Sequence, residues 1–220
     1  MAVTGVGGSV IERAYPGLAQ AGTTLVPTLV ALCSEAGWRV RDLELAAVSL
    51  GPGSFTGLRV GAATANALAL ALNIPVVGVP SLEVIAQGAP GGWRCALCLS
   101  PHRRGSFYGR VFTRVGDSPV EAASGILAGG LDEVLRAVAA EAPEVGLIAG
   151  PDDAQAQWEG MQASDRAGRE FVTVYPSARV VLSLALSHPP AQPPRLVVPI
   201  YVKASQPEER EKASGAGDLR

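Results

Sequence analysis

The sequence contains few of the residues that build disulfide frameworks and metal sites. Among 220 residues there are three cysteines and two histidines, and charged residues make up only 17% of the chain. An odd, small number of cysteines argues against a disulfide framework and fits a reducing compartment. His102 and His188 lie too far apart in sequence to form an HxxxH or HExxH ligand pair. We therefore expect a cytoplasmic protein without disulfides and without a metal bound to this chain.

Long apolar runs and a strong charge of either sign are also absent. The N-terminal residues lack the charged and apolar regions of a secretory signal. The longest apolar stretch, residues 61–72, is interrupted by Thr64 and Asn66 and is shorter than the ~20 residues that span a bilayer. A formal net charge of −2 provides no broad basic surface for gripping nucleic acid. We expect no membrane insertion and no DNA binding, and any nucleic acid would be held with a partner's help.

Alternating strands and helices predict an α/β protein. A buried strand at 45–50, a helix at about 57–72 and a strand at 75–80 form a βαβ unit. The Pro-Gly-Gly break at 90–92 suggests a boundary between an N-terminal lobe, residues 1–90, and a C-terminal lobe, residues 91–204. The remaining residues, 205–220, have the composition of a disordered tail. The other predicted elements are an opening hairpin around Gly7-Gly8, helices at about 24–36, 81–87, 131–141 and 177–187, a hairpin at 94–115, and strands at 145–149, 171–174 and 197–203.

A glycine-rich loop precedes the second of these helices. Backbone N–H groups at such a helix start can bind an anion, although the spacing matches neither the dinucleotide fingerprint nor a P-loop. The alternative is that the glycines only allow a tight turn and that Ser54 or Thr56 caps the helix. The loop residues in question are Gly51, Gly53, Ser54, Thr56 and Gly57.

Two helices of the N-terminal lobe are apolar on more than one face. In the helix at 24–36, two adjacent apolar stripes leave a narrow polar strip, and the helix at 57–72 has almost no solvent face. Small residues four apart, from Gly57 to Ala69, form a groove that admits another backbone. Such faces are covered either by a second subunit or by the second lobe.

Three weaker motifs each have a functional interpretation and a purely structural one. Cys95 and Cys98 form a lone CxxC that, on a strand, points to opposite faces, so we interpret it as two buried cysteines. Asp152-Asp153 could hold a hydroxyl or a cation but is more simply a solvated loop. The basic hairpin could contact phosphates through Arg103, Arg104, Arg110 and Arg114, but a solvated hairpin is the simpler interpretation.

The stretch from Ser49 through the glycine loop to Gly61, continuing at Ile74 to Leu82, resembles the bacterial TsaB family, also called YeaZ. Most of the resemblance lies within residues 45–87, with weaker similarity at 94–115 and 198–203. It implies a two-lobed fold of the actin-like, sugar-kinase-like (ribonuclease-H-like) ATPase superfamily. It also implies a non-catalytic subunit in the synthesis of threonylcarbamoyladenosine on tRNA, beside the anticodon.

The resemblance further implies partners and an interface. Family members pair with the catalytic paralogue TsaD through the first two helices of the N-terminal lobe, and they also form homodimers. The ATPase TsaE joins them. The resemblance therefore implies that ATP and a metal ion bind to partner subunits. On this basis the interface would comprise Leu25, Leu29, Leu32, Leu58, Arg59, Ala62, Ala65, Asn66 and Ala69.

One departure from the family pattern leads to a further expectation. Family members begin with an additional central strand that this sequence does not show, so we expect Met1 to be a misplaced start or a truncation with an apolar strand upstream. Two competing functions stay open: an ATP-dependent sugar-kinase-like enzyme that uses the glycine loop, and a glycoprotease-type (M22) peptidase. The sequence shows no general base, Mg²⁺ carboxylate pair or nucleophile set for either.

Overall fold

The computed structural model describes residues 1–5, 10–14, 21–116, 120–187 and 195–202. The predicted Gly7-Gly8 turn and the tail at 205–220 lie outside this part of the chain. The elements of the first half are β1 (Ala2–Val3), β2 (Ile11–Glu12), α1 (Ala21–Glu35), a 3-10 turn (Val40–Asp42), β3 (Ala46–Gly51), α2 (Phe55–Leu72), β4 (Val76–Pro80) and α3 (Ser81–Gly88).

The second half contains the larger sheet. Its elements are β5 (Cys95–Pro101), β6 (Phe107–Thr113), β7 (Glu121–Ala122), β8 (Leu127–Gly129), α4 (Leu131–Glu141), β9 (Leu147–Gly150), α5 (Asp152–Glu159), α6 (Ala163–Arg166), β10 (Glu170–Thr173) and α7 (Ala178–Ser187). These strands form one mixed sheet in the order β10-β9-β5-β6-β7, and β8 also pairs with β6.

The strands of the first half form two separate ladders. β1 pairs antiparallel with β2, and β3 pairs parallel with β4, with Ala46 opposite Val76. Helices cover both faces of the β3–β4 ladder. Ala65 and Ala69 of α2 pack on one face with Val76, and Val181 and Leu184 of α7 pack on the other. The first lobe is therefore a layered α/β/α structure, which confirms the predicted α/β class.

Helix α3 is shared by the two sheets. Leu82, Ile85 and Ala86 pack against the second sheet, in one cluster with Ala96 and Phe112. Val84, on the other side of the helix, packs with residues of β4 and α7. Helix α7, which the sequence suggested for the second lobe, lies against the first sheet, so contacts between the two lobes are extensive. The boundary at residue 90 stays a prediction.

Several local predictions need correction. Helix α1 begins at Ala21, three residues before the predicted start at about residue 24. The predicted helix at 81–87 is confirmed as α3, and the hydroxyl of its first residue, Ser81, lies 2.7 Å from that of Ser49 in β3. Asp152-Asp153 begins the helix α5 rather than lying in a loop, because a helix start tolerates acidic residues well. Of the predicted strand at 197–203, residues 197–202 have no regular secondary structure.

Candidate functional site

The glycine loop makes the turn between β3 and α2 and caps the helix. Ser54 is the N-cap, and its hydroxyl accepts a weak hydrogen bond from the Gly57 N–H at 3.4 Å. Gly51 has a positive φ of 98°, which favours glycine. A Cβ on Gly51 would also lie 2.6 Å from Leu58 Cδ1. These observations support the tight-turn interpretation, with Ser54 rather than Thr56 as the cap; anion binding by the loop stays a prediction.

The same loop touches the second lobe. The Ser100 hydroxyl at the end of β5 donates a hydrogen bond to the Pro52 carbonyl at 3.0 Å, and Ser100 is buried. A buried polar pair of this kind is costly to break. The loop therefore holds the start of α2 in a fixed position relative to both sheets.

Many of the predicted interface residues lie inside the chain's own core. Leu32 and Ala69 have no exposed surface. Leu29, Ala62 and Ala65 are also buried, and Gly61 approaches Val48 in β3 closely enough that a Cβ would lie at 3.4 Å. The small-residue groove thus accepts the chain's own sheet. The five buried residues Leu29, Leu32, Ala62, Ala65 and Ala69 cannot contact a partner without unfolding. They belong to the inner faces of α1 and α2. The sequence alone does not distinguish these inner faces from the outer ones.

The outer faces of α1 and α2 remain exposed and apolar. Val26 and Val30, four residues apart on α1, are 53% and 50% exposed, and Leu70 on α2 is 66% exposed. Small apolar residues continue both stripes. We call this surface the outer helical face; its exposed members are Val26, Pro27, Val30, Ala31, Ala63, Ala67, Leu70 and Ala71. The i, i+4 spacing of Val26 and Val30 is visible in the sequence, but only the fold shows that this stripe points outward.

The segment at residues 195–202 packs against α2. The Asn66 side-chain amide donates to the Val197 carbonyl and accepts from the Val197 N–H, both at 2.9 Å. Farther along, the Ile200 N–H donates to the Leu50 carbonyl at 2.8 Å. We call residues 195–202 the strap. Asn66, predicted at an interface with a partner, therefore binds this chain's own backbone.

Aromatic and cationic side chains fix the other end of the strap. The Arg59 Nε donates to the Tyr201 hydroxyl at 3.0 Å, and the Arg59 guanidinium lies 3.9 Å from the centroid of the Phe55 ring. Phe55 and Tyr201 are themselves in ring contact, with centroids 5.5 Å apart. Leu58 and Leu25, the remaining predicted interface residues, are partly buried.

The basic hairpin divides into exposed and structural arginines. Arg103 and Arg104 lie exposed in the turn between β5 and β6. Arg110 in β6 instead donates through Nε to the Ser124 carbonyl at 2.9 Å, so its charge is held against the chain's own loop. Of these three arginines, Arg103 and Arg104 have the exposure that a phosphate contact needs.

The cysteines occupy opposite faces of β5, as the strand period requires. Cys95 packs with α4 and Leu97, and Cys98 packs with α3. Burial raises the pKa of the Cys95 thiol to about 11 and that of Cys98 further, so both stay protonated and poorly nucleophilic near neutral pH. Within the described ranges, no three His, Cys, Asp or Glu side chains group as metal ligands.

Helix α2 has the length and composition of a membrane span, with 18 residues from Phe55 to Leu72. Its buried stripe of Ala62, Ala65 and Ala69 contributes to the core of this chain. The core helix of a soluble protein passes the same test of length and composition.

Comparison with known proteins agrees with this architecture. A family model for "TsaD: tRNA N6-adenosine threonylcarbamoyltransferase" matches residues 19–118. Among solved structures, YeaZ from Pseudomonas aeruginosa superposes with a TM-score of 0.70 at 22% identity, over 91% of this chain and 92% of that one. A structure titled as an uncharacterized protein with similarity to peptidase YEAZ from Pseudomonas aeruginosa gives a TM-score of 0.66 at 24% identity, over 89% of this chain and 90% of that one.

Curated relatives match over shorter segments. An uncharacterized protein of Mycobacterium tuberculosis is 48% identical over 84 residues, which are 38% of this chain and 38% of that protein. The Escherichia coli tRNA threonylcarbamoyladenosine biosynthesis protein TsaB is 39% identical over 70 residues, 32% of this chain and 29% of that protein. The chain thus matches less than two fifths of the length of these relatives.

The fold defines the class: this is a two-lobed α/β protein of the actin-like, ribonuclease-H-like type. The matched TsaD family model, the TsaB-named relatives and the YeaZ-like architecture agree on a narrower resemblance. The chain is similar to proteins of the TsaB (YeaZ) family, most closely in its N-terminal half.

Proposed function

We propose that this chain is a non-catalytic subunit in the synthesis of threonylcarbamoyladenosine on tRNA, and that it activates a TsaD-type transferase by dimerising with it. The observation that carries the proposal is the outer helical face. Val26, Val30 and Leu70 expose large apolar side chains on two adjacent helices. An exposed apolar patch of this kind marks an interaction site.

The composition of this surface favours a helix-on-helix interface. The outer helical face contains no charged side chain and is rich in alanine, so another pair of helices can approach closely and pack side chains between its ridges. A TsaD-type paralogue with a similar N-terminal lobe would present such a pair. A second copy of this chain would present the same surface, which supports a homodimer as the competing assembly.

The rest of the proposed complex supplies the chemistry. Threonylcarbamoyl transfer, ATP and a metal ion belong to the TsaD-type and TsaE-type partners, and this chain contributes its rigid lobe. Arg103 and Arg104 are the exposed cations of the β5–β6 turn and are placed to meet a tRNA backbone held by the assembly. A tRNA-modifying assembly would work in the cytoplasm.

The test is a binding measurement with a matched control. Leu70→Glu places a charge in the proposed interface, whereas Leu186→Glu places the same charge at another exposed leucine, 62% exposed, on α7 at the opposite face of the β3–β4 ladder. Binding to the TsaD-type protein of the same organism should weaken at least ~100-fold for Leu70→Glu, about 2.7 kcal/mol, because the charge would be buried without a partner. Leu186→Glu should bind as the parent does.

Light scattering of the mixed proteins, with and without the TsaE-type ATPase and ATP, gives the composition of the complex. Equal binding by both variants would place the interface elsewhere. If the chain ignores the TsaD-type protein but hydrolyses ATP alone, the sugar-kinase-like function replaces the proposed one.

A further inference from the structure

The outer helical face is too small to form a stable interface by itself. It has eight exposed members, of which three, Val26, Val30 and Leu70, are large. A stable interface buries about 800 Å² on each partner, from roughly 20–30 residues. A partner that is held at this face must therefore contact further surface beyond α1 and α2.

Beyond α1, the surface becomes charged. Glu35, the last residue of α1, forms an exposed ion pair with Arg13, next to β2, at 2.6 Å. Charged and solvent-accessible groups of this kind belong to the rim of an interface rather than to its core. The core of the interface is therefore not expected to continue across α1.

The strap borders the other side of the outer helical face. Asn66 and Arg59 on α2 bind it, and Leu70 follows Asn66 by four residues, so the two are neighbours on the helix surface. Leu68, which packs with the residues of α1, is turned by about 200° from Asn66, because a helix has about 3.6 residues per turn. The exposed side of α2 therefore lies between α1 and the strap.

The strap continues the apolar surface past α2. Val197 points inward and packs with Ala65 and Ala69. Its two neighbours in the chain, Leu196 and Val198, are 51% and 70% exposed. The outward side of the strap thus adds large apolar side chains to a face that is otherwise rich in alanine.

Arg59 presents a positive charge at the same place. It lies against the Phe55 ring and donates through Nε to the Tyr201 hydroxyl. Its two Nη groups have no acceptor, and no carboxylate pairs with them, among the residues that the structure describes. A guanidinium held by two rings is suited to bidentate binding of a carboxylate, and arginine and tyrosine are frequent among the residues that dominate binding energy.

We propose that the strap forms the third element of the interface with the TsaD-type partner, beside α1 and α2, and that Arg59 binds a carboxylate of that partner. This contact surface, here called the strap edge, comprises Phe55, Arg59, Leu196, Val198 and Tyr201. The inference rests on the proposed function and extends the same interface.

The charge on Arg59 favours this partner over a second copy of the chain. In a two-fold symmetric homodimer, the same surface patch meets itself. The outer helical face and the strap edge contain no aspartate or glutamate. A second copy docked through this surface would therefore bring no carboxylate to Arg59, whereas a different chain is free to provide one.

The apolar part of the strap edge is tested with two valine variants. Val198→Asp places a charge on the strap, and Val115→Asp places the same charge at a valine that is 78% exposed, beyond β6 in the second lobe. Isothermal titration with the TsaD-type protein of the same organism should show binding weakened at least ~10-fold for Val198→Asp and unchanged for Val115→Asp. Urea unfolding of both variants should match the parent, because both side chains lie mostly in solvent.

The role of Arg59 is tested with three further variants. Arg59→Met removes the charge together with the bond to Tyr201, whereas Tyr201→Phe removes the same bond but keeps the guanidinium and the ring. Arg136→Met removes one positive charge from an exposed position on α4 and controls for net charge.

Arg59→Met should weaken binding at least ~10-fold and make Kd less dependent on salt, because salt screens the lost ion pair. Tyr201→Phe and Arg136→Met should stay within about threefold of the parent and keep its salt dependence. If Tyr201→Phe weakens binding as much as Arg59→Met does, Arg59 only holds the strap in place, and the carboxylate contact is overturned.

The outcomes separate this inference from the proposed function. Unchanged binding by Val198→Asp, when Leu70→Glu weakens it, would confine the interface to the helices and overturn the inference while the proposed function stands. No binding by the parent chain would overturn both. If Val198→Asp weakens only the self-association of this chain, measured by sedimentation, the partner at the strap edge is a second copy and the inference is wrong.

Discussion

At the scale of single residues, Asn66 attaches the strap to α2. It lies on α2, between the outer helical face and the sheet, and its amide forms two hydrogen bonds with the backbone of Val197. These bonds imitate one step of a strand ladder, so a side chain attaches the strap to α2 at this point, in addition to the backbone bond from Ile200 to Leu50 in β3.

Asn66→Ala should destabilise the chain by about 1–3 kcal/mol, because both partly buried backbone groups of Val197 lose their partner. Urea unfolding measures this loss. Asn66→Asp keeps an acceptor for the Val197 N–H but brings a carboxylate against the Val197 carbonyl, so it should not restore the parent stability. Full stability in the alanine variant would show that the aromatic end of the strap and the bond from Ile200 to Leu50 hold it without Asn66.

At the scale of elements, the packing of α4 on the second sheet depends on one glycine. A Cβ on Gly109 in β6 would lie 2.8 Å from Val134 Cγ1 in α4 and 3.3 Å from side-chain atoms of Leu97 and Leu99. Gly109 is buried, so the helix can approach the strands closely only because this position has no side chain.

Gly109→Ala should cost about 1–3 kcal/mol of stability through overpacking. Gly146→Ala is the matched control, since a Cβ there meets nothing within 4 Å and Gly146 is exposed; its stability should be within about 1 kcal/mol of the parent. Thermal or denaturant unfolding of the parent and the two variants measures these differences in stability. A similar loss in both variants would mean that glycine flexibility, not the space under α4, sets the cost.

Elements with strong local signals were predictable from the sequence. The β3–loop–α2–β4 unit, the β5–β6 hairpin, α4 and α7 were identified within a few residues, because apolar periodicity and glycine or proline breaks define them locally. Helix α5 is not evident in the sequence, because Asp152 and Asp153 at its start are equally typical of a loop.

The candidate site was harder to predict. Both apolar stripes of α1 were visible, yet the buried Leu29 and Leu32 were assigned to the interface, because apolar composition cannot tell a core stripe from a partner-binding one. The contact between Asn66 and Val197 spans 131 residues and has no local signature at all.

At the scale of the whole molecule, α3 joins the two lobes into a single cooperative structure. Leu82 and Ile85 belong to the core of the second sheet, while Val84 of the same short helix belongs to the core under α7. Neither lobe can lose its packing without exposing part of the other, and the buried bond from Ser100 to Pro52 adds a second connection.

Unfolding should therefore be a single transition, even though the chain has two sheets. Two of the three tryptophans report on different places: Trp38 packs in the core beneath α1, and Trp158 packs in the core beneath α4. In variants that keep only Trp38 or only Trp158, with phenylalanine at the other positions, the fluorescence midpoint should coincide with the far-ultraviolet circular dichroism midpoint of the same protein. Separate midpoints in either variant would mean that the lobes unfold independently.

The position of α7 has a consequence for how the protein is made. The sheet that contains β3 and β4 is covered on one face by a helix at 178–187, so the ribosome must add about 100 further residues after β4 before that cover exists. At about 5–20 residues per second this takes roughly 5–20 s. During that interval the nascent first lobe displays an uncovered apolar sheet, which makes it a natural client for chaperones that bind at the ribosomal exit.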